Sequence, residues 1–248
     1  MIPDDVWTGL RRLTPARIGL ARSGAALATG PLLEFRLAHA RARDAVGETL
    51  DEAALAAELA EFDVPVLSLT SAAENRQTYL LRPDLGRRLA READGVLSAY
   101  RGNYDLVFVL ADGLSARAVQ VHAPPVLSKA LTILRTEGWR IAPFVIIRHG
   151  RVAVGDAAAN ALGADCVAVL IGERPGLSAP DSLGAYLTYQ PHPHTTDAER
   201  NCISNIRPQG VDYVTAALRL THLLRSMRDR RLSGVRLKDE SDRLLVGQ

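Results

Sequence analysis

Three short apolar runs, at residues 106–110, 144–147 and 167–171, constrain this chain more than any other feature of it. A strand with one face in water alternates apolar and polar residues. These runs are almost continuously apolar, so they predict strands buried on both faces. Helical stretches lie between them, over 116–136 and 156–162, long enough to return the chain to the start of a neighbouring parallel strand. The strands are expected at 105–111, 142–147 and 165–171, with a helix at 84–100 before them, a further strand at 185–189 and a closing helix at 210–230. The implied fold class is α/β, a Rossmann-like doubly wound domain whose mostly parallel sheet is covered on both faces.

The region before this domain is mainly helical by pattern. Gly30-Pro31 is a helix start signal, followed by Leu32, Leu33, Phe35, Leu37 and Ala38. Residues 14–29 lack helical apolar spacing and predict an arm that lies on something else. A helix at 51–62 has an acidic first turn and leads into a short strand or extended segment at 64–69. The chain is thus divided into a mainly helical N-terminal arm at 1–80, the Rossmann-like domain at 81–232, and a weakly ordered polar tail at 233–248.

With 248 residues the chain can bury a core without staples. Cys166 and Cys202 match neither zinc nor redox spacing, so both are expected as free thiols in a reducing compartment. No apolar stretch reaches bilayer length and no export signal is visible at the start, which predicts a cytoplasmic protein without a membrane span. The balance of 30 basic and 28 acidic residues argues against nucleic acid held by bulk charge.

In an open parallel sheet, ligands bind beyond the carboxyl ends of the strands. Three loops there stand out: Asp112-Gly113-Leu114-Ser115, Arg148-His149-Gly150-Arg151-Val152, and Gly172-Glu173-Arg174-Pro175-Gly176-Leu177-Ser178. Turn chemistry alone accounts for any one of them. Three on one edge point to a ligand, and Glu173 can accept hydrogen bonds from a neutral polar one. The glycine fingerprints of dinucleotide and phosphate sites and the hydrolase nucleophile elbow are absent, which disfavours a stand-alone nucleotide-dependent enzyme. His192 and His194, with Cys202 nearby in sequence, have only a weak metal spacing and, flanked by prolines in a loop, read as solvent-exposed, so no metal is expected. Arg225, Arg228, Arg230 and Arg231 complement a helix dipole on a solvated face. Residues 196–208 are dense in polar side chains and read as a binding loop, or else as a contact between domains or subunits held by Asp197, Glu199, Arg200 and Arg207.

Five segments carry a family resemblance: residues 13–18 (LTPARI), 37–46 (LAHARARDAV), 79–89 (YLLRPDLGRRL), 172–177 (GERPGL) and 201–208 (NCISNIRP). In this order, within a similarity running from about residue 5 to about residue 230, they resemble the small subunit of ethanolamine ammonia-lyase. The resemblance implies an enzyme that converts ethanolamine to acetaldehyde and ammonia, active only with a large barrel subunit that holds the substrate, in a higher hetero-oligomer. It also implies a shared adenosylcobalamin whose radical chemistry is the cofactor's own, with this chain covering the lower corrin face and nucleotide tail. No catalytic residue is expected here. Carried over by motif, the cofactor contacts are Val152, Glu173 and Cys202. A histidine that displaces the nucleotide base would announce itself as DxHxxG, which does not occur, so base-on binding is expected. Some relatives carry an N-terminal extension linked to packaging in a microcompartment; this sequence starts almost at the shared region, so a diffuse cytosolic enzyme is expected. The alternative is a noncatalytic assembly subunit with a vestigial cofactor pocket.

Overall fold

The computed structural model describes residues 4–241. It opens with α1 (Asp4–Arg11), a small antiparallel ribbon of β1 (Arg22–Ser23) and β2 (Ala26–Leu27), and α2 (Thr29–Gly47). α2 buries only Ala45 and leaves Leu33, Phe35 and Leu37 exposed. The Arg11 guanidinium donates to the Ile18 and Gly19 carbonyls and so folds the arm back on α1. α3 (Glu52–Ala60) is N-capped by Asp51, whose carboxylate accepts the Ala54 N–H, and it buries Leu55 and Leu59. It delivers β3 (Val66–Thr70).

The long helix expected at 84–100 does not form. In its place α4 (Arg76–Leu81) and a single 3-10 turn at Leu85–Arg87 lead to an extended stretch, and only Ala93–Ser98 is helical, as α5. The extended stretch pairs with the end of β3: Ala72 N donates to Arg88 O, and Ala90 N to Thr70 O. Backbone groups at the sheet edge thus find partners that a continuous helix would have denied them.

The remaining elements are β4 (Tyr104–Ala111), α6 (Ala116–Thr136), β5 (Phe144–Arg148), α7 (Val154–Leu162), β6 (Ala164–Gly172), β7 (Leu183–Tyr189), β8 (Asn201–Ile206) and α8 (Tyr213–Arg230). They build one six-stranded sheet of order β3-β5-β4-β6-β7-β8, parallel through β6 and antiparallel beyond it. The sheet therefore begins at Val66, in the short strand expected at 64–69 and upstream of residue 81. α6 runs as one helix through Pro124 and Pro125, both half-buried, because Ala123, Val126 and Leu127 around them are fully packed against the sheet.

Strand alternation sorts the core into two layers. Leu106, Phe108 and Leu110 of β4 face α3, α6 and α8, while Val107, Val109 and Ala111 face α5 and α7. α6 follows β4 on one face and α7 follows β5 on the other. The loops leaving these adjacent strands therefore diverge and open a crevice at the carboxyl edge.

The segment after Leu232 departs from the weak order expected of it, as far as Ser241. Ser233 Oγ accepts the Tyr189 N–H and donates to Glu199 O, Gly234 N donates to the Asn201 side chain, and Leu237 is buried in the α6/α8 layer. Asn201 returns a hydrogen bond to Leu237 O at 2.8 Å. The segment latches the first half of β8, and its composition gave no sign of this because most of the bonds go to backbone. The rest of the expected tail, 242–248, lies outside the described residues.

Candidate functional site

The three loops picked out along the sheet edge meet. Asp112, at the end of β4, is buried; its carboxylate accepts the Gly150 N–H at 3.2 Å and lies 3.7 Å from the Arg76 guanidinium. Burial raises its pKa, opposed by backbone donors at His149 and Gly150 and by the charge of Arg76. Arg76 is engaged through all three nitrogens, since it donates twice to Val46 O and once to Gly113 O. It thus binds the end of α2 to the loop after β4. Gly113 has φ +55°, and a Cβ there would sit 2.3 Å from Gly172 O, so the loops after β4 and β6 touch backbone to backbone and only glycine fits.

The loop from Glu173 to Ser182 is tied down along its length. Glu173 N donates to Ser182 O, Ser115 Oγ to Pro180 O, Arg207 to Ser178 O, and Arg17 of the arm to Leu177 O. Beneath it, buried His122 bonds the Tyr213 hydroxyl at 2.9 Å, with its other nitrogen 4.0 Å from Asp181. Burial lowers the His122 pKa.

Glu173 itself is held by β8. One carboxylate oxygen accepts the Ser204 hydroxyl and the other the Asn205 N–H at 3.1 Å. Asn205 takes φ +59° at a bulge where Leu183 pairs with Ile206 but Ala185 pairs with Ile203. Gly184 alone on β7 thus faces both Ser204 and Asn205 on β8, and the extra residue turns the Asn205 amide toward the glutamate.

These groups border a pocket of about 420 Å³, within the range of small-molecule sites. Leu114, Val152, Ile171 and Tyr186 supply its apolar wall, and Glu173, Ser204 and Arg151 its polar groups. At its back Tyr79 is buried and stacked under two guanidinium groups, Arg151 at 4.4 Å and Arg76 at 5.0 Å. Burial pushes the Tyr79 phenol up to about 12, against the lowering effect of Arg151.

Of the three residues expected to contact a cofactor, Val152 and Glu173 line this pocket. Cys202 does not, but it pairs across the strands with Tyr186, which does, and it stands two residues before Ser204 on the same side of β8. Its thiol pKa is raised, chiefly by the protein crowding one side of it although the residue is exposed; the hydrogen bond to Tyr186 lowers it and the Glu173 charge raises it.

The polar segment 196–208 proves to be structural over its first half. Thr196 and Glu199 close a capping box around the turn at Asp197–Glu199. Arg200 is buried and clasps Asp156 of α7 through two bonds of 2.7 Å, with Thr188 at 3.1 Å. The second half is strand β8 rather than a loop. His192 and His194 are exposed, with His192 3.5 Å from Glu199, and among the described residues no cluster of three or more His, Cys, Asp or Glu is arranged to hold a metal.

Tyr79 and Tyr186 escaped the sequence reading of the site, while Arg151 and Ser204 fell inside segments it singled out without being given a role of their own. Strand alternation could have found Ser204 from Cys202. Tyr79 sits on a helix too short to show a period.

Comparison with known proteins agrees with this picture. Residues 4–238 match the family model described as ethanolamine ammonia-lyase light chain (EutC). The ethanolamine ammonia-lyase small subunit of Xanthomonas campestris pv. campestris (strain B100) is 53% identical over 99% of this chain and 92% of its own length. Those of Pseudomonas fluorescens (strain SBW25) and Azotobacter vinelandii (strain DJ / ATCC BAA-1303) are each 52% identical, over 97% and 96% of this chain and 88% and 90% of theirs. With a single family spanning nearly the whole sheet, its edge-strand latch and the pocket between them, the chain belongs to the ethanolamine ammonia-lyase light-chain family.

Proposed function

We propose that this chain is the small subunit of an adenosylcobalamin-dependent ethanolamine ammonia-lyase, that it works in the cytoplasm, and that its pocket takes part of the lower corrin face and the nucleotide tail. The observation that carries the reading is the convergence of Val152 and Glu173 on one pocket in a chain of this family.

The residues present fit such a group. A corrinoid has an apolar ring edge fringed with neutral carboxamides. Val152, Ile171, Leu114 and Tyr186 offer the apolar contact. A carboxylate has about four acceptor sites; Glu173 uses two of them on Ser204 and Asn205, which leaves room for carboxamide N–H donors. The pocket is too small for a whole corrinoid, so the rest must be covered by another surface, consistent with a cofactor shared between subunits. When bound, adenosylcobalamin supplies the radical that begins the reaction on ethanolamine. The part of this chain is to bind and orient the cofactor through Val152, Glu173 and Cys202. Base-on binding follows from the lack of a displacing histidine motif; coupling of a protein histidine nitrogen in the cob(II)alamin paramagnetic resonance spectrum would refute it.

The docking surface for the large subunit is the N-terminal region. Leu13 is 83% exposed, Leu33 58%, Leu37 52% and Leu81 72%, and so much large apolar surface within one part of a chain marks an interaction site.

The test is ethanolamine-dependent acetaldehyde formation, with adenosylcobalamin present, by this chain, by the large subunit, and by both co-expressed. Activity in the co-expressed sample alone is expected. Equal activity of the large subunit without this chain would reduce it to the noncatalytic assembly subunit with a vestigial pocket.

A further inference from the structure

We infer that Arg151 is an anion-binding residue of this pocket and takes the phosphodiester that joins a corrinoid to its nucleotide base; this rests on the cofactor reading above. Arg151 is a built feature. Its backbone N–H donates to Gly86 O at 2.7 Å, and a Cβ on Gly86 would come within 2.9 Å of its Cγ, so the arginine stem is seated against that glycine. Its guanidinium carbon lies over the Tyr79 ring, 4.4 Å from the centroid. For all that ordering, its donors are hardly used. Nε is buried with no hydrogen-bond partner, and the contact of a terminal nitrogen with Tyr79 O is long, at 3.4 Å.

The contrast with nearby arginines is informative. Arg76, Arg148 and Arg200 have Asp112, Glu52 and Asp156 as carboxylate partners, whereas among the described residues Arg151 has no carboxylate within 4 Å. Glu173 lines the same pocket, yet the two opposite charges are not paired. Glu173 is turned toward β8, and Arg151 lies over Tyr79. Arg174, exposed at the rim, adds a second positive charge to the lining. A site with an acceptor and an unpaired planar cation suits a ligand that offers neutral N–H donors together with an anionic oxygen pair, which a guanidinium grips in two places. A corrinoid with its nucleotide tail has both, the carboxamides and the phosphodiester.

The experiment uses the co-expressed complex with the large subunit and measures equilibrium binding of cyanocobalamin and of dicyanocobinamide, which lacks the phosphodiester and the base. Arg151→Gln should weaken cobalamin binding about 10- to 100-fold, the size of a lost charge-assisted hydrogen bond, and leave cobinamide binding unchanged. Arg151→Lys, which keeps the charge without the planar fork, should fall between. The phosphorus-31 resonance of bound cyanocobalamin should also differ between the wild type and Arg151→Gln. Equal weakening of both corrinoids would make Arg151 merely structural, and no change in either would remove it from the site; both outcomes overturn the inference. If Arg151→Gln does not fold, inorganic phosphate added to the wild type decides: it should compete with cobalamin and not with cobinamide, and failure to do so overturns the inference. If the wild-type complex binds neither corrinoid, the cofactor reading fails. Inorganic phosphate alone then tests the anion site, and no phosphorus-31 broadening would overturn that too.

Discussion

Glu173 accepts two hydrogen bonds from its own chain, so its removal unpairs the Ser204 hydroxyl and the Asn205 amide as well as any carboxamide of a bound ligand. Glu173→Ala should weaken cobalamin binding to the complex by about 1–3 kcal/mol without unfolding it; unchanged affinity in an equilibrium titration would take the residue out of the site. The two cysteines should separate by reactivity. Cys166 is buried and its thiol is pushed up to about 12, whereas Cys202 is exposed with a more modest upward shift caused first by local burial. Iodoacetamide should therefore modify Cys202 alone, slowly near neutral pH and faster as pH rises past the ordinary thiol range of about 8.5. Saturating cobalamin should slow it, and mass spectrometry that finds no protection would place Cys202 outside the contact. At this scale the site was half legible. A charged residue in a glycine-bounded loop, such as Glu173, announces itself, whereas Tyr79 and Arg151 act through a stack that joins chain segments 72 residues apart, and no local pattern encodes that.

Among the elements, the central strands could be read directly because burial on both faces leaves an unbroken apolar run. β8 could not. Its two inward side chains, Ile203 and Ile206, are three residues apart because the bulge inserts one, so the spacing breaks strand alternation and mimics that of a helix. The helix expected at 84–100 failed for a different reason. Leu85, Leu89 and Leu97 have helical spacing, but a Cβ at Gly86 would come within 3.1 Å of Arg151, Tyr79 and the His149 carbonyl, a close approach that fixes the turn there. α8 offers a test of its start. Asp212 accepts the Val214 and Thr215 N–H groups and the Thr215 hydroxyl, and the Thr215 amide above all holds its carboxyl below the usual range. The cap's contribution is thus present above the unfolded pKa of about 3.9 and is lost as pH falls through the lower, folded value. Asp212→Ala should cost about 1 kcal/mol at neutral pH by urea unfolding, and the difference should shrink as acid protonates the wild-type cap. A difference that does not change with pH would make Asp212 a packing residue instead.

For the molecule as a whole, the segment from Ser233 to Leu237 closes the structure. A chain ending at Leu232 loses the burial of Leu237 and leaves the Tyr189 amide and the Asn201 side chain without partners. It should lose roughly 2–4 kcal/mol of stability, seen as a lower thermal midpoint; an unaltered midpoint would show that β8 needs no latch. Among the described residues no helix is long and apolar enough to cross a membrane, and large leucines before residue 82 stand exposed. The latch also bears on how the protein is made. Synthesis is vectorial, and domains generally fold N-terminal part first as the chain emerges at about 5–20 residues per second. The parallel strands and Val152 are translated well before Ser204, Asn205 and the latch that secures β8. A nascent chain therefore emerges with its sheet centre in place and one wall of the pocket still missing, and any ligand of that pocket has to wait until translation is almost complete.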